Sequence, residues 1–118
     1  MIELKRGMVI DVNLNPKKGS ETGKIRPCVI VTNDVYNARV PVIQVVPITS
    51  WSQKKSMIRT NVEIDPTSEN GLDKKSIADC LQTRPIDRRI RMVGIRGELE
   101  SEILGLIDES LRIVFDLS

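Results

Sequence analysis

Short apolar segments separated by polar turns run along most of the chain. Residues 8–13 alternate between apolar and polar side chains, which predicts a first half-exposed strand. Residues 28–32 form a continuous apolar run, which predicts a strand buried on both faces. Residues 58–64 alternate again and predict another half-exposed strand. This pattern favours a sheet of several short strands.

Three further apolar segments predict the remaining strands; they are residues 40–48, 75–83 and 92–95. Pro47 lacks a ladder donor, so we expect a bulge or a sheet edge near the end of its strand. The loop at 15–24 is rich in turn formers and long for a hairpin connection, which makes it a candidate functional loop.

A strong helical pattern appears only near the end of the sequence. The apolar residues with this spacing are Leu99, Ile103, Leu106, Ile107, Leu111 and Val114. Glutamates precede this segment and Arg112 lies near its end, as the helix dipole favours. Short strands followed by one helix predict a single domain over residues 1–118, mainly β, built as a small antiparallel barrel capped by a C-terminal helix.

Composition narrows the chemistry that this domain can perform. The 118 residues are 40% apolar and only 3% aromatic, so we expect one aliphatic core. The net charge of +2 does not by itself indicate nucleic acid. Histidine is absent, which excludes imidazole acid–base catalysis, a serine triad and the commonest metal ligand. We therefore predict no metal site and no cofactor.

Cys28 and Cys80 both lie in apolar stretches and form no CxxC motif. Buried free thiols in a reducing compartment are the expected interpretation. Residues 1–7 are polar and lack the apolar segment of a signal peptide, and no apolar run is long enough to span a bilayer. The sequence thus predicts a soluble, cytoplasmic protein with no membrane contact.

The stretch Lys24-Ile25-Arg26-Pro27 places two cations and a proline before the β-branched run. Pro27 belongs at the first residue of a strand, and the residue before a proline favours extended backbone. Arg26 should then hold its guanidinium at the mouth of a buried strand, where its planar donors suit a phosphate. A solvated charge at the end of a loop is the alternative.

Two other polar residues also end predicted strands. Thr49 follows residues 40–48 and Gln82 closes residues 75–83, and both side chains offer hydrogen bonds to a phosphate or a base. Trp51 is a candidate platform for stacking a base, with core packing or a subunit contact as the alternative.

Basic residues form a second candidate feature, either one nucleic-acid-binding patch or a solvated face. They are Lys17, Lys18, Lys24, Lys54, Lys55, Arg84, Arg88, Arg89 and Arg91.

Several motifs in order resemble the MazF/PemK (Kid) family of toxin endoribonucleases. They are Arg6-Gly7, Asn15-Pro16, Gly19-Ser20-Glu21, Lys24-Ile25-Arg26-Pro27 with Val29-Ile30-Val31, Asn33-Asp34, Pro47-Ile48-Thr49-Ser50, Gly71-Leu72, Gln82-Thr83-Arg84 with Asp87 and Arg89, and Gly97 with Leu99. The resemblance covers nearly the whole chain. The arginine–proline strand start and the proline–isoleucine–threonine–serine strand end are its most specific parts.

The resemblance implies an SH3-like, CcdB/PemK-like barrel that forms a homodimer. It implies metal-independent, sequence-selective cleavage of single-stranded RNA, often mRNA. It also implies a MazE-like antitoxin that blocks the RNA groove, with DNA met only indirectly through that antitoxin.

Carried over residue by residue, the resemblance implies roles for six positions. Arg26 and Thr49 match the catalytic pair. The remaining matches are Ser20, Glu21 and Lys24 in the loop beside the substrate and Gln82 as a substrate contact. Leu81 departs from the family, which often has an acidic residue there.

Without metal or imidazole, the nucleophile must come from the substrate, and the RNA 2′-hydroxyl is already next to its phosphate. Arg26 and Thr49 would donate to the phosphoryl oxygens, giving a 2′,3′-cyclic phosphate and a 5′-hydroxyl. Two alternatives stay open: a CcdB-like gyrase-binding toxin without catalysis, and a nucleic-acid-binding module that uses its arginine cluster.

Overall fold

The computed structural model describes residues 3–118. Its seven strands are β1 Met8–Asn13, β2 Ile25–Ile30, β3 Val42–Ser50, β4 Asn61–Ile64, β5 Ser76–Asp79, β6 Arg84–Asp87 and β7 Met92–Glu98. Its helices are α1 Asp34–Asn37, α2 Gln53–Ser56, α3 Arg88–Arg91 and α4 Ser101–Phe115, and a 3₁₀ turn covers Cys80–Gln82. The predicted mainly β fold with a C-terminal helix is confirmed.

All strand pairs are antiparallel, in the order β4-β5-β3-β2-β1-β7, and β6 also pairs with β3. The long strand β3 changes partner along its length. Val42 to Val45 pair with β6, whereas Ile48 to Ser50 pair with β5. Pro47 lies between these two partners, where its missing N–H leaves no ladder bond unmade. The interruption predicted at Pro47 is therefore an exchange of partner strands.

The core consists of two aliphatic clusters that divide between the two faces of the sheet. Alternation along β1 sends Val9 into one cluster and Ile10 and Val12 into the other. The first cluster is covered by α4, whose Ile107 is fully buried in it. Since both faces are covered, β1 and β2 are held rigidly, and β2 carries Arg26.

Two strand boundaries near the candidate site differ from the sequence prediction. β2 begins at Ile25, so Pro27 is its third residue and not its first. Pro27 is tolerated there because pairing with β3 starts only at Cys28. β3 runs over Val42–Ser50 rather than 40–48, so Thr49 lies inside the strand and is held by its pairing with Ile77.

The later strands also differ from the prediction. The strand expected at 58–64 covers only Asn61–Ile64, because α2 and its following turn occupy the preceding residues and leave Ile58 48% exposed. The strand expected at 75–83 ends at Asp79 and continues as the 3₁₀ turn. The arginine-rich segment forms β6 and α3, and the last strand extends from Met92 to Glu98.

Candidate active site

One cleft gathers six of the seven residues singled out from the sequence. It has a volume of about 380 Å³ and lies between the 15–24 loop, β2, the end of β3 and the 3₁₀ turn. The six residues are Ser20, Glu21, Lys24, Arg26, Thr49 and Gln82. Strands separated in the sequence are neighbours in the sheet, which explains why these side chains converge.

Arg26 enters the cleft from the second position of β2, opposite Val12 of β1. Its Nε donates a hydrogen bond of 2.9 Å to the carbonyl oxygen of Gly23, which orients the guanidinium plane. Within residues 3–118 it forms no ion pair, so its charge is not neutralised by a carboxylate. A half-buried, oriented and uncompensated guanidinium is suited to bind a phosphate.

Thr49 faces the same cleft from the next-to-last position of β3. Lys55 Nζ donates to Thr49 Oγ1 at 3.4 Å and to the carbonyl oxygen of Ser50 at 3.2 Å. Lys55 belongs to α2, which begins after Ser52, whose Oγ accepts from the Lys55 amide at 3.1 Å. Because the Thr49 hydroxyl accepts from an ammonium group, its own proton is directed toward other acceptors.

Gln82 connects the 3₁₀ turn to the loop on the opposite side of the cleft. Its Nε2 donates to the Ser20 carbonyl oxygen at 3.1 Å, and its Oε1 accepts from the Thr22 amide at 3.3 Å. The loop is also fixed at its far end, where the Lys24 amide donates to Asn15 Oδ1 at 2.8 Å. Gln82 therefore holds the loop against the cleft, and its amide must exchange these bonds to contact a ligand directly.

Trp51 is not brought together with the other six residues. Its indole Nε1 donates to Glu63 Oε1, and Lys75 Nζ lies 4.8 Å from the ring centroid. The side chain remains 37% exposed, outside the lining of the cleft. A stacking role for Trp51 therefore stays a prediction.

Three further residues line the cleft: Lys17 and Lys55, which the sequence offered only as part of a candidate basic patch, and Asp79, which it did not single out. Burial raises the pKa of Asp79, although the backbone amides of Gln82 and Leu81 and the charge of Lys55 act in the opposite direction. Asp79 was hidden inside a predicted strand and Lys55 inside a polar turn. The basic cluster was the signal for Lys55, whereas the sequence gave no signal for Asp79.

The cleft continues on both sides. A second cleft of about 220 Å³ shares Arg26 and Thr49 and is bordered by Arg96, which donates to Asp11 Oδ1 at 2.7 Å and to Asp73 Oδ2 at 3.3 Å. A third cleft of about 340 Å³ shares Gln82 and is bordered by Arg84. The Arg26–Thr49 pair thus borders two adjoining clefts, and the third cleft continues from Gln82.

Within residues 3–118, no three His, Cys, Asp or Glu side chains gather in a group able to hold a metal ion. In the same part of the chain, no helix has the length and apolar character needed to cross a membrane. Both cysteines are free and buried, as the sequence predicts.

The chain is similar to known proteins in both sequence and structure. The family described as PemK-like, MazF-like toxin of type II toxin–antitoxin system matches residues 5–115. Endoribonuclease EndoA of Bacillus subtilis is 36% identical over 110 residues, covering 93% of this chain and 92% of that protein. Endoribonuclease MazF of Staphylococcus saprophyticus is 36% identical over 111 residues, covering 92% and 91%.

Solved structures agree on the fold. The crystal structure of MazF from Deinococcus radiodurans superposes with a TM-score of 0.84 at 20% identity, covering 98% of this chain and 99% of that one. Toxin MazF-mt6 of Mycobacterium tuberculosis gives 0.75 at 24% identity, covering 94% and 98%. A MazE–MazF structure from Deinococcus radiodurans gives 0.75 at 20% identity over the full length of both chains. With a family match over residues 5–115 and relatives at 36% identity, this chain belongs to the PemK-like, MazF-like toxins of type II toxin–antitoxin systems.

Proposed function

We propose that this toxin is an endoribonuclease that cleaves single-stranded RNA, with mRNA as its cellular substrate. The activity is the one named for its relatives EndoA and MazF, which are 36% identical over more than nine-tenths of this chain. The observation that carries the proposal is that Arg26 and Thr49 together border two adjoining clefts. A phosphate bound by this pair leaves room for a nucleotide on either side.

The chemistry follows from what these groups can do. The 2′-hydroxyl attacks the adjacent phosphorus, the bond to O5′ breaks, and the products are a 2′,3′-cyclic phosphate and a 5′-hydroxyl. The intermediate carries more negative charge than the substrate, so the Arg26 guanidinium and the Thr49 hydroxyl stabilise it by donating to its oxygens. Lys55, at 3.4 Å from Thr49 Oγ1, adds a second positive charge. No step uses a metal ion.

The loop residues contribute binding. Lys24 and Lys17 bring positive charge to the cleft, while Ser20 and Glu21 offer hydrogen-bonding groups to the bases. Leu81, 67% exposed, borders the third cleft and presents an apolar surface where the family often has an acid. We expect this position to affect which base is preferred.

The proposed partners follow the family. A MazE-like antitoxin binds a homodimer of this toxin and covers the groove, and the complex meets DNA only through the antitoxin. The MazE–MazF structures that share this fold support such a complex. We place the protein in the cytoplasm, where mRNA is available and where the free thiols of Cys28 and Cys80 stay reduced.

The test uses purified protein and a long single-stranded RNA, with the new ends mapped. We expect cuts at a short recurring sequence, 2′,3′-cyclic phosphate ends, and full activity in EDTA. A single 2′-deoxy substitution at a cut nucleotide should abolish that cut. If cleavage persists at the deoxy position, 2′-hydroxyl attack is wrong; if RNA is bound but never cut, the protein is a binding module and the nuclease proposal fails.

A further inference from the structure

The cleft contains a carboxylate that the Arg26–Thr49 pair alone does not explain. Asp79 is the last residue of β5, and it lines the same cleft as Arg26, Thr49 and Lys55. Thr49 pairs with Ile77 across the β3–β5 ladder, and residues two apart on a strand share a face. Asp79 therefore lies on the same face as Thr49, one step further along the ladder.

Local structure accounts for the Asp79 side chain only in part. Asp79 precedes the 3₁₀ turn Cys80–Gln82, and the backbone amides of Leu81 and Gln82 act on its carboxylate, although no capping hydrogen bond of regular geometry forms. Within residues 3–118 it also forms no ion pair, although the charge of Lys55 is near enough to act on it. A carboxylate that is half-buried, lacks an ion pair and lies in a groove for a polyanion opposes substrate binding, so its presence calls for a chemical role.

The other groups of the cleft cannot supply the base that the reaction needs. A guanidinium stays protonated in proteins, so Arg26 donates and does not accept. A lysine ammonium group likewise donates hydrogen bonds and offers no acceptor. Two carboxylates remain: Glu21 lies on the exposed loop, whereas Asp79 is partly buried beside Thr49. Burial raises the pKa of Asp79, which makes its ionised form a stronger base.

We propose that Asp79 accepts the proton of the attacking 2′-hydroxyl, an assignment that rests on the proposed ribonuclease function. The O2′–H bond breaks toward a carboxylate oxygen of Asp79 as O2′ bonds to phosphorus. The P–O5′ bond then breaks, and O5′ takes a proton from a water molecule. The resulting hydroxide takes the proton from Asp79 and restores the ionised carboxylate.

The pH dependence follows from the charges around this group. The charged groups that line the cleft with it are Arg26 from β2, Lys55 from α2, and Lys17, Glu21 and Lys24 from the loop, and of these the charge of Lys55 acts on Asp79. Acidification protonates carboxylates and adds no proton to a guanidinium or an ammonium group, so we expect the loss of activity at low pH to come from a carboxylate. The cleavage rate should fall as the pH decreases through the raised pKa of Asp79, because the protonated carboxyl cannot accept a proton.

The test is Asp79→Asn, which keeps the size of the side chain and removes the base. We expect kcat to fall by roughly 10²–10⁴-fold and the acidic limb of the pH–rate profile to disappear. Binding of an uncleavable 2′-deoxy RNA should stay the same or become tighter, because a negative charge leaves the groove. Asp79→Glu retains a carboxylate and should recover part of the activity. Asp65→Asn, an exposed carboxylate outside the clefts, is the matched control.

Three results would overturn the assignment. The first is an Asp79→Asn variant that cuts within threefold of the wild type or keeps the acidic limb. The second is loss of the acidic limb in Glu21→Gln instead. The third is rescue of Asp79→Asn by a 5′-phosphorothiolate substrate. The thiolate leaving group of this substrate departs without protonation, so rescue would mean that Asp79 acts as the acid and not as the base. Failure of the wild-type toxin to cut RNA would instead overturn the proposed function, so the two failures are distinguishable.

Discussion

Replacing Arg26 by alanine removes the guanidinium that borders both clefts next to Thr49. A unit charge about 4 Å from one added negative charge contributes roughly 4 kcal/mol at the effective dielectric constant of about 20 that suits a half-exposed site. Removal of a single donor to a developing oxyanion costs about 10²–10³ in kcat in other enzymes. We therefore expect Arg26→Ala to lower kcat by about 10²–10³-fold.

The same variant should remain folded. Arg26 forms no ion pair within the described residues, and its Nε bond to the Gly23 carbonyl oxygen, 2.9 Å long, is the hydrogen bond lost. Such a bond contributes about 0.5–1.5 kcal/mol to the free energy of unfolding. With 118 residues, the unfolding entropy is about 250 cal/mol/K, so 1 kcal/mol corresponds to a decrease in Tm of about 4 °C.

The assay is single-turnover cleavage of an end-labelled RNA, with Tm measured by circular dichroism. Arg26→Lys keeps the charge but loses the planar fork and the bond to Gly23, so it should fall between the wild type and Arg26→Ala. Cleavage by Arg26→Ala within threefold of the wild type would refute the charge argument. An Arg26→Lys variant as active as the wild type would refute the argument that the planar guanidinium, oriented by the Gly23 carbonyl oxygen, is needed for cleavage.

The remaining predictions concern the hydroxyl donor, the backbone and the thiols. Thr49→Val should reduce kcat by roughly 10–10²-fold, whereas Thr49→Ser should keep most of the activity, as single-turnover rates would show. Equal rates for the two variants would mean that the hydroxyl has no part in the mechanism. Gly97→Ala should lower Tm because the added Cβ would collide with the carbonyl oxygen of Glu69. Gly105→Ala has open space around it on α4, so its free energy of unfolding should rise by about 0.5–1 kcal/mol, as thermal unfolding would show. Burial raises the pKa of Cys28 to about 12 and also raises the pKa of Cys80. At pH 8 both thiols should therefore react with an aromatic disulfide reagent only in denaturant. Rapid reaction of the native protein would contradict the burial of both thiols.

Part of the fold was predictable because it depends on local pattern. The alternation at 8–13 predicted β1 correctly, and the helical spacing near the end predicted α4, because burial on one face imposes a period on neighbouring residues. The predicted strand boundaries were wrong where pairing between distant strands overrode the local pattern of apolar and polar residues. β2 accepts Pro27 at its third residue only because β3 has not yet begun to pair beside it.

The arginine-rich segment shows what local pattern misses. Its polar composition favoured an exposed basic patch, but residues Arg84–Asp87 form β6 along the first half of β3, and Ile86 is buried in the core. A four-residue strand with one buried side chain has almost no period to detect. The strand β6 forms because β3, some forty residues earlier in the sequence, has an open edge with which it can pair.

For the candidate site, the amino-acid sequence by itself determined the residue types: a fixed cation before a buried strand at Arg26, a hydroxyl at the end of another strand at Thr49, and no histidine anywhere in the chain. Only the tertiary structure decided which groups meet. It brought Asp79 and Lys55 into the cleft and left Trp51 outside it. The physical reason is that periodicity reports how each residue faces the core, whereas contact between side chains depends on which strands pair and in what register.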